Sequence, residues 1–296
     1  MTDLITYYPM LALAFCLVFA LCVGSFLNVV IHRLPLMMER QWQAECDDYL
    51  AQQTDSCEPA SPNASEQSAP FNLMVPRSRC PECNSLIRAW QNIPVISWLL
   101  LGGKCANCKT KISIRYPLVE VASALLCLAC WSVFGFTTSF VFACLFSWLM
   151  LTLALIDFDT MLLPDQLTLP GMWLGLLLAT QSLFASPIDA IIGAAAGYLF
   201  LWSIFWAFKL LTGKEGMGYG DFKLLALIGA WFGWQALPLV VLLSSLSGAV
   251  LGIILLVTRR QQQGQPMPFG PYLAMGGLCY LYIGPELYQW YLGALL

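Results

Sequence analysis

Apolar runs of about 20 residues, each long enough to cross a bilayer, recur along most of this sequence. A chain built that way must bury those runs in lipid or in each other. Hydrophobic residues make up 59% of the 296 positions and charged ones 10%, where soluble domains carry roughly 25% charged residues. The chain reads as an all-α polytopic membrane protein whose first partner is the lipid bilayer, and nothing in it points to nucleic acid. The expected fold has about eight transmembrane helices, over 10–32, 117–135, 138–157, 168–186, 188–210, 222–236, 238–258 and 270–293. The connections "FGFTT", "FASPID" and "WFGWQALP" are short enough to be kinks or turns.

Charge placement sets the expected orientation. Of the fourteen Lys and Arg residues, nine lie in 33–116, three lie around 209–223, and two are Arg259 and Arg260. These are alternate connections, as the positive-inside rule requires, which places 33–116 in the cytoplasm and both termini outside. The expected division is a first span within 1–32, a cytoplasmic loop over 33–116, and a transmembrane core over 117–296. The first span is expected to stay in the membrane. It lacks a basic n-region, and Arg33 follows the apolar run where a cleaved signal would have its charge before it.

The loop divides in two. Its first part, from Glu39 to about residue 75, is acidic and rich in Ser, Pro, Gln and Ala, a composition expected to be flexible or loosely helical. Asn63-Ala64-Ser65 is a chance glycosylation triplet in a cytoplasmic loop. The second part, about 76–112, is sharper. Cys80-Pro-Glu-Cys83 and Cys105-Ala-Asn-Cys108 stand 21 residues apart, and two such knuckles offer four thiolates to a tetrahedral zinc ion, closing a small zinc-ribbon-like insert. Arg77, Arg79, Lys104, Lys109 and Lys111 nearby favour thiolates. Two disulfides or a redox pair are the alternatives, opposed by a reducing cytoplasm and by the lack of a thioredoxin-like βαβ pattern. Cys127 and Cys130, one helical turn apart inside the second span, read as packing residues.

Acidic residues near the membrane are few. "LIDFDTMLLPDQLTLP" supplies Asp157, Asp159 and Asp165, and "GMGYGDFKLLALIG" supplies Asp221; on the expected topology both stretches meet the same membrane face. Asp157 or a neighbour, together with Asp221, would then come from different helices, as a pair of catalytic carboxylates must. Two carboxylates at close range cannot both ionise; one can activate water while the other donates to a substrate carbonyl. The residues alone leave other readings open. Asp221 and Asp165 could be helix N-caps, Asp159 could be solvated in a turn, and a lone intramembrane Asp also suits transport. Gly218 and Gly220 would let an extended peptide approach the backbone closely, or could serve packing.

Five blocks, in order and across nearly the whole chain, resemble one family. Gly218-Tyr219-Gly220-Asp221 resembles the GxGD signature that bacterial prepilin peptidases (type IV leader peptidases) share with presenilin-type intramembrane proteases. "LIDFDTMLLPDQLTLP" resembles that family's first aspartate motif, "GSFLNVVIHRLP" (Gly24 to Pro35) its N-terminal block, the paired Cys-x-x-Cys its cytoplasmic domain, and "PMPFGPYLA" its last-span motif. The acidic stretch over 39–75 has no counterpart among these motifs. The resemblance implies that Asp157 and Asp221 are catalytic. It also implies removal of the basic leader of type IV prepilins and type II secretion pseudopilins, after a glycine, at the cytoplasmic side of the bacterial inner membrane. It further implies N-methylation of the new N-terminal residue with S-adenosylmethionine. The residues themselves show no soluble methyltransferase domain and no G-x-G-x-x-G after a strand. Two rival readings are a proton-coupled transporter, for which no repeated half is visible, and a membrane-anchored zinc scaffold with structural aspartates.

Overall fold

The computed structural model describes residues 8–53, 71–214, 216–257 and 267–295. Among them the chain is helical, and its only β pairing is two isolated bridges, Arg79 with Leu86 and Lys104 with Lys111. Two compact units form, Leu13–Ala124 and the remainder, Met1–Ala12 with Leu125–Leu296.

In the Leu13–Ala124 unit, the first helix continues past the expected end of its span. α1 runs Pro9–Gln53, 45 residues with Pro35 inside, or about 68 Å at 1.5 Å per residue, twice what a bilayer requires. The acidic segment is therefore a regular helix up to Gln53, exposed over 39–50. Its Glu, Gln, Ala and Leu content favours helix without any packed face, and Gln41 bonds Glu45 one turn on at 2.9 Å. The Asn63 triplet lies outside the described residues. A short helix α2, Ile96–Leu100, follows, then α3, Arg115–Phe134, which begins in this unit. Within the unit α1 and α3 lie backbone to backbone. A Cβ on Gly24 would meet the Glu120 Cα at 2.6 Å, the Ser123 hydroxyl donates to the Ala20 carbonyl at 2.6 Å, and the Asn28 amide donates to the Tyr116 carbonyl at 3.0 Å.

The larger unit carries α4 (Thr138–Thr160), α5 (Asp165–Ala179), α6 (Pro187–Thr212), α7 (Tyr219–Phe232), α8 (Leu237–Val257) and α9 (Gly270–Leu295). Caps explain where several of them begin and end. The Thr137 hydroxyl accepts from the Phe140 amide at the start of α4, Ser186 does the same for Asp189 in α6, and Gly213 ends α6 at φ 70°. The centre is α7, in which every residue from Asp221 to Phe232 is buried except Lys223. It packs against α5, α6 and α9. Gly193 of α6 and Gly229 of α7 touch backbone to backbone, and a side chain at either would have no room. Trp231 donates to the Gly171 carbonyl of α5 at 2.9 Å and packs at a tilt against Phe146 of α4, ring centroids 5.0 Å apart.

Among the described residues, eight helices of at least 14 residues thus follow the order of the eight expected spans. The connections at Gly135, at residues 180–186 and at Gly233 are breaks between helices, with Gly135 and Gly233 at positive φ. Two expected spans shrink: 168–186 becomes α5 of 15 residues and 222–236 becomes α7 of 14. Among the described residues five helices are long and apolar enough to cross a membrane: α1, α3, α4, α6, and Trp234–Ile254, which contains most of α8. At about 21 Å, α7 is too short to span unaided. Its apolar residues are spent on the surrounding helices, which is why hydropathy alone reads a buried core helix as a span.

Candidate active site and metal centre

Asp157 sits in the last turn of α4, just before Met161 ends the helix in the left-handed conformation. Asp221 is the third residue of α7. Both side chains are buried, 4% and 6% exposed, and the charge of Asp157 reaches Asp221 directly. Neither carboxylate has an ion-pair partner among the described residues. Each is oriented by a glycine amide instead. Gly270, the first residue of α9, donates its N–H to Asp157 Oδ2 at 2.9 Å, and the Gly218 backbone donates to the Asp221 carboxylate. The second arrangement is half of a capping box, in which an acid at the third helical position reaches back to the N-cap amide. The N-cap role considered for Asp221 is therefore realised in modified form, while its carboxylate stays within reach of the charge of Asp157.

The other acids of the cluster lie apart. Asp159 is exposed. Asp165 does not cap α5, whose N-cap is Pro164; its two oxygens hold Lys223 at 2.6 and 2.7 Å. That ion pair ties the first turn of α5 to the second turn of α7. In the glycine motif, Gly220 lies against the Leu163 side chain, so it serves packing, whereas Gly218 is open on the side facing Asp221.

Gly270 is the position beside Asp157 that the reading of the residues missed. Its signal was "PMPFGPYLA", legible as a motif without a role. Glycine is required there because a Cβ would stand 2.6 Å from Asp157 Oδ2 and 3.0 Å from its Cγ.

The four cysteines of the two knuckles come together, with all four sulfurs within 4.8 Å of one another. The knuckles repeat one design at an offset of 25 residues. Asn84 and Lys109 take φ of 53° and 62°, and their amides turn back to the Cys80 and Cys105 carbonyls at 2.9 and 3.1 Å. The amides of Cys80 and Cys105 in turn reach the Ser85 and Thr110 carbonyls at 3.0 and 2.8 Å. Hydroxyls stand beside the outer sulfurs, Ser85 at 3.0 Å from Cys83 and Thr110 at 3.3 Å from Cys108. The Ser85 hydroxyl and amide, with the Asn107 side chain, draw the Cys83 thiol down to about 6. Cys80 and Cys108 sulfurs are 3.7 Å apart, and a metal with 2.3 Å metal–sulfur bonds in a tetrahedron needs about 3.8 Å. The set fits a single tetrahedral metal ion. All four are free thiols, so neither knuckle is a disulfide. Cys127 and Cys130 are buried packing residues, with Cys130 beside the Ser147 and Tyr282 hydroxyls at 3.5 Å.

Comparison with known proteins agrees across the chain. Residues 18–134 match the Bacterial Peptidase A24 N-terminal domain, and residues 144–253 match the Type IV leader peptidase family. A relative from Aeromonas hydrophila, called a prepilin leader peptidase/N-methyltransferase, is 54% identical over 284 residues, covering 96% of this chain and 95% of its own. Proteins of the same name from Pseudomonas aeruginosa and Burkholderia pseudomallei are 52% and 48% identical, covering 98% and 93% of this chain and 97% and 87% of their own. No solved structure matches. With both aspartate motifs, the cysteine knuckles and near-complete coverage in one chain, this protein belongs to the type IV leader peptidase family.

Proposed function

We propose that this protein hydrolyses the leader peptide of type IV prepilins and type II secretion pseudopilins, with Asp157 and Asp221 as a shared acid–base pair, and then methylates the new N-terminal amine. The observation that carries the first activity is the pair itself: two buried carboxylates from different helices, near enough for the charge of one to act on the other and without an ion-pair partner among the described residues. Such a pair holds one proton. The ionised carboxylate takes a proton from the attacking water while the protonated one donates to the scissile carbonyl oxygen, and the roles reverse as the tetrahedral intermediate collapses onto the leaving amine. The pair titrates as a unit.

The positive-inside pattern supports a multi-pass inner-membrane placement with 33–116 and the aspartates facing the cytoplasm. We keep the division into 1–32, 33–116 and 117–296 on the same ground. Zinc is the metal that suits four thiolates in a tetrahedron; Cys80, Cys83, Cys105 and Cys108 would hold it, and its contribution would be to close the insert. S-adenosylmethionine, when bound, supplies a methyl group on a cationic sulfur. The methyltransferase reading rests on the relatives' names. Family membership disfavours the transporter and scaffold alternatives, neither of which needs two facing carboxylates.

Purified protein mixed with a prepilin tests both activities by mass spectrometry. Cleavage is expected without S-adenosylmethionine, because aspartyl hydrolysis consumes only water, and methylation only with it. Asp221→Asn is expected to methylate a pre-cleaved peptide still, and loss of both activities together would mean one shared site. Intact prepilin after incubation with the wild-type protein would overturn the peptidase reading.

Gly270 offers a sharper test of geometry. The added methyl group in Gly270→Ala displaces the Asp157 carboxylate, so kcat for cleavage is expected to fall about 10- to 100-fold with KM little changed, since misplacement of a reacting group by about 1 Å costs on that order. A changed KM with normal kcat would place Gly270 in substrate binding instead.

A further inference from the structure

Glu120, in the second turn of α3, is the buried acid that the cleavage mechanism leaves without a role. Its side chain is 7% exposed. Oε2 accepts the Val95 N–H at 2.7 Å, and the Ser25 hydroxyl donates to the same carboxylate. Both donors are neutral. Among the described residues no cation pairs with Glu120, and no charged or titratable group on α1, the Val95 segment or α3 acts on its carboxylate, which meets only the Val95 amide and the Ser25 hydroxyl. Neutral hydrogen bonds satisfy oxygen lone pairs but leave a net charge in a poorly solvated place, which is costly.

The surroundings are built to hold that carboxylate. Val95 has φ 59° and ψ −49°, a conformation that β-branched residues avoid. Strain of this kind persists where neighbouring structure enforces it, and it gathers at functional sites. The enforcing structure is the cysteine-bearing segment. Trp98, three residues on, donates its indole N–H to the Ile112 carbonyl at 3.3 Å and accepts from the Gly103 amide at 2.8 Å, next to the second knuckle. On the other side, the close approach of Gly24 brings α1 onto the Glu120 backbone.

We propose that Glu120 is the site for the α-ammonium group of the amine to be methylated, and that its carboxylate takes that group's proton; this rests on the methyltransferase reading above. An α-amino group titrates near 7.7–8.0, so at neutral pH most of it is ammonium with no lone pair to attack a methyl group. Proton transfer from nitrogen to Glu120 gives a neutral amine and a carboxylic acid. The amine lone pair then forms the N–C bond while the C–S bond breaks with its electrons onto sulfur. The sulfonium becomes a neutral thioether, and the positive charge ends on nitrogen. That direction of charge movement places the carboxylate beside the amine. Next to the sulfonium it would stabilise a charge that disappears in the transition state, whereas next to nitrogen it accepts the proton that must leave before the lone pair can attack.

The test uses full-length protein, S-adenosylmethionine and a pre-cleaved pilin N-terminal peptide with a free amine, comparing wild type, Glu120→Gln and Ser25→Ala. Methyl transfer by Glu120→Gln is expected to fall about 100-fold at pH 7 and to recover as the pH is raised towards 9, where solvent removes the proton. Its leader cleavage, its melting temperature and its affinity for S-adenosylmethionine by equilibrium dialysis are expected to match wild type. Ser25→Ala keeps the carboxylate and is expected to keep methylation, with the acid limb of its pH profile moved upward because the carboxylate becomes more basic. Wild-type methylation by Glu120→Gln, or a loss that high pH does not relieve, would overturn the proposal. So would a tenfold loss of S-adenosylmethionine affinity, which would give the carboxylate to the donor. Should Glu120→Gln fail to fold, an unmoved profile in Ser25→Ala overturns it. Absence of methylation in the wild type, by contrast, would overturn the underlying reading.

Discussion

Replacing Asp157 or Asp221 with Asn is expected to lower leader cleavage by about 10³-fold or more, since each change removes a proton acceptor that the reaction requires. The same substitutions are expected to leave melting temperature unchanged or slightly raised. Asn is nearly isosteric, and its carbonyl can still accept the Gly270 or Gly218 amide that orients each carboxylate. It also removes an acid from a pair buried without a cation, and catalytic arrangements of that kind are often held at a cost in stability. Asp159→Asn is expected to retain activity. It is exposed, and residues two apart on a helix face different ways, so it cannot stand in for Asp157. An inactive Asp159→Asn beside an active Asp157→Asn, both at normal expression, would overturn the assignment within the cluster.

The second large effect concerns the knuckles. The purified protein is expected to carry about one zinc ion per chain, and Cys80→Ser or Cys105→Ser should remove most of it. Apparent binding energies of structural zinc sites run to about 10–16 kcal/mol at neutral pH, so losing the ion should unfold the local segment. The two isolated bridges and the turns at Asn84 and Lys109 give it little else to hold it. Limited proteolysis should then cut within 71–114, and the remaining knuckle thiols should react with a thiol reagent. Cys46→Ser, on the exposed face of α1, should change neither readout. Protein without metal, whose four knuckle thiols react freely under native conditions, would sink the zinc site. Because Val95 and Trp98 lie on the same segment, knuckle damage is also expected to lower methylation more than cleavage.

Much of this molecule is decided by local physics that a sequence exposes. Apolar runs separated by Gly135, by 180–186 and by Gly233 become helices in that order, because nothing else satisfies their backbone groups in an apolar setting. Paired Cys-x-x-Cys knuckles converge because the chain has no other use for four thiols so spaced, and Asp157 and Asp221 stand out because acids are rare among such residues. What depends on distant partners was not legible. The acidic stretch after Glu39 is the exception: it read as flexible or loosely helical, and local propensity alone carries α1 on to Gln53. The hydropathy of α7 matched a span, but its apolar residues face α5, α6 and α9, and only the assembled helices show that it is a core element of 14 residues. Asp165 resembled a cap until Lys223, 58 residues away, proved to hold it. Gly270 and Glu120 carried no signal of role at all. Their meaning lies in a backbone amide 113 residues from the carboxylate it orients, and in a buried carboxyl group that meets neutral donors among the described residues. Both are facts of proximity, which tertiary packing alone creates.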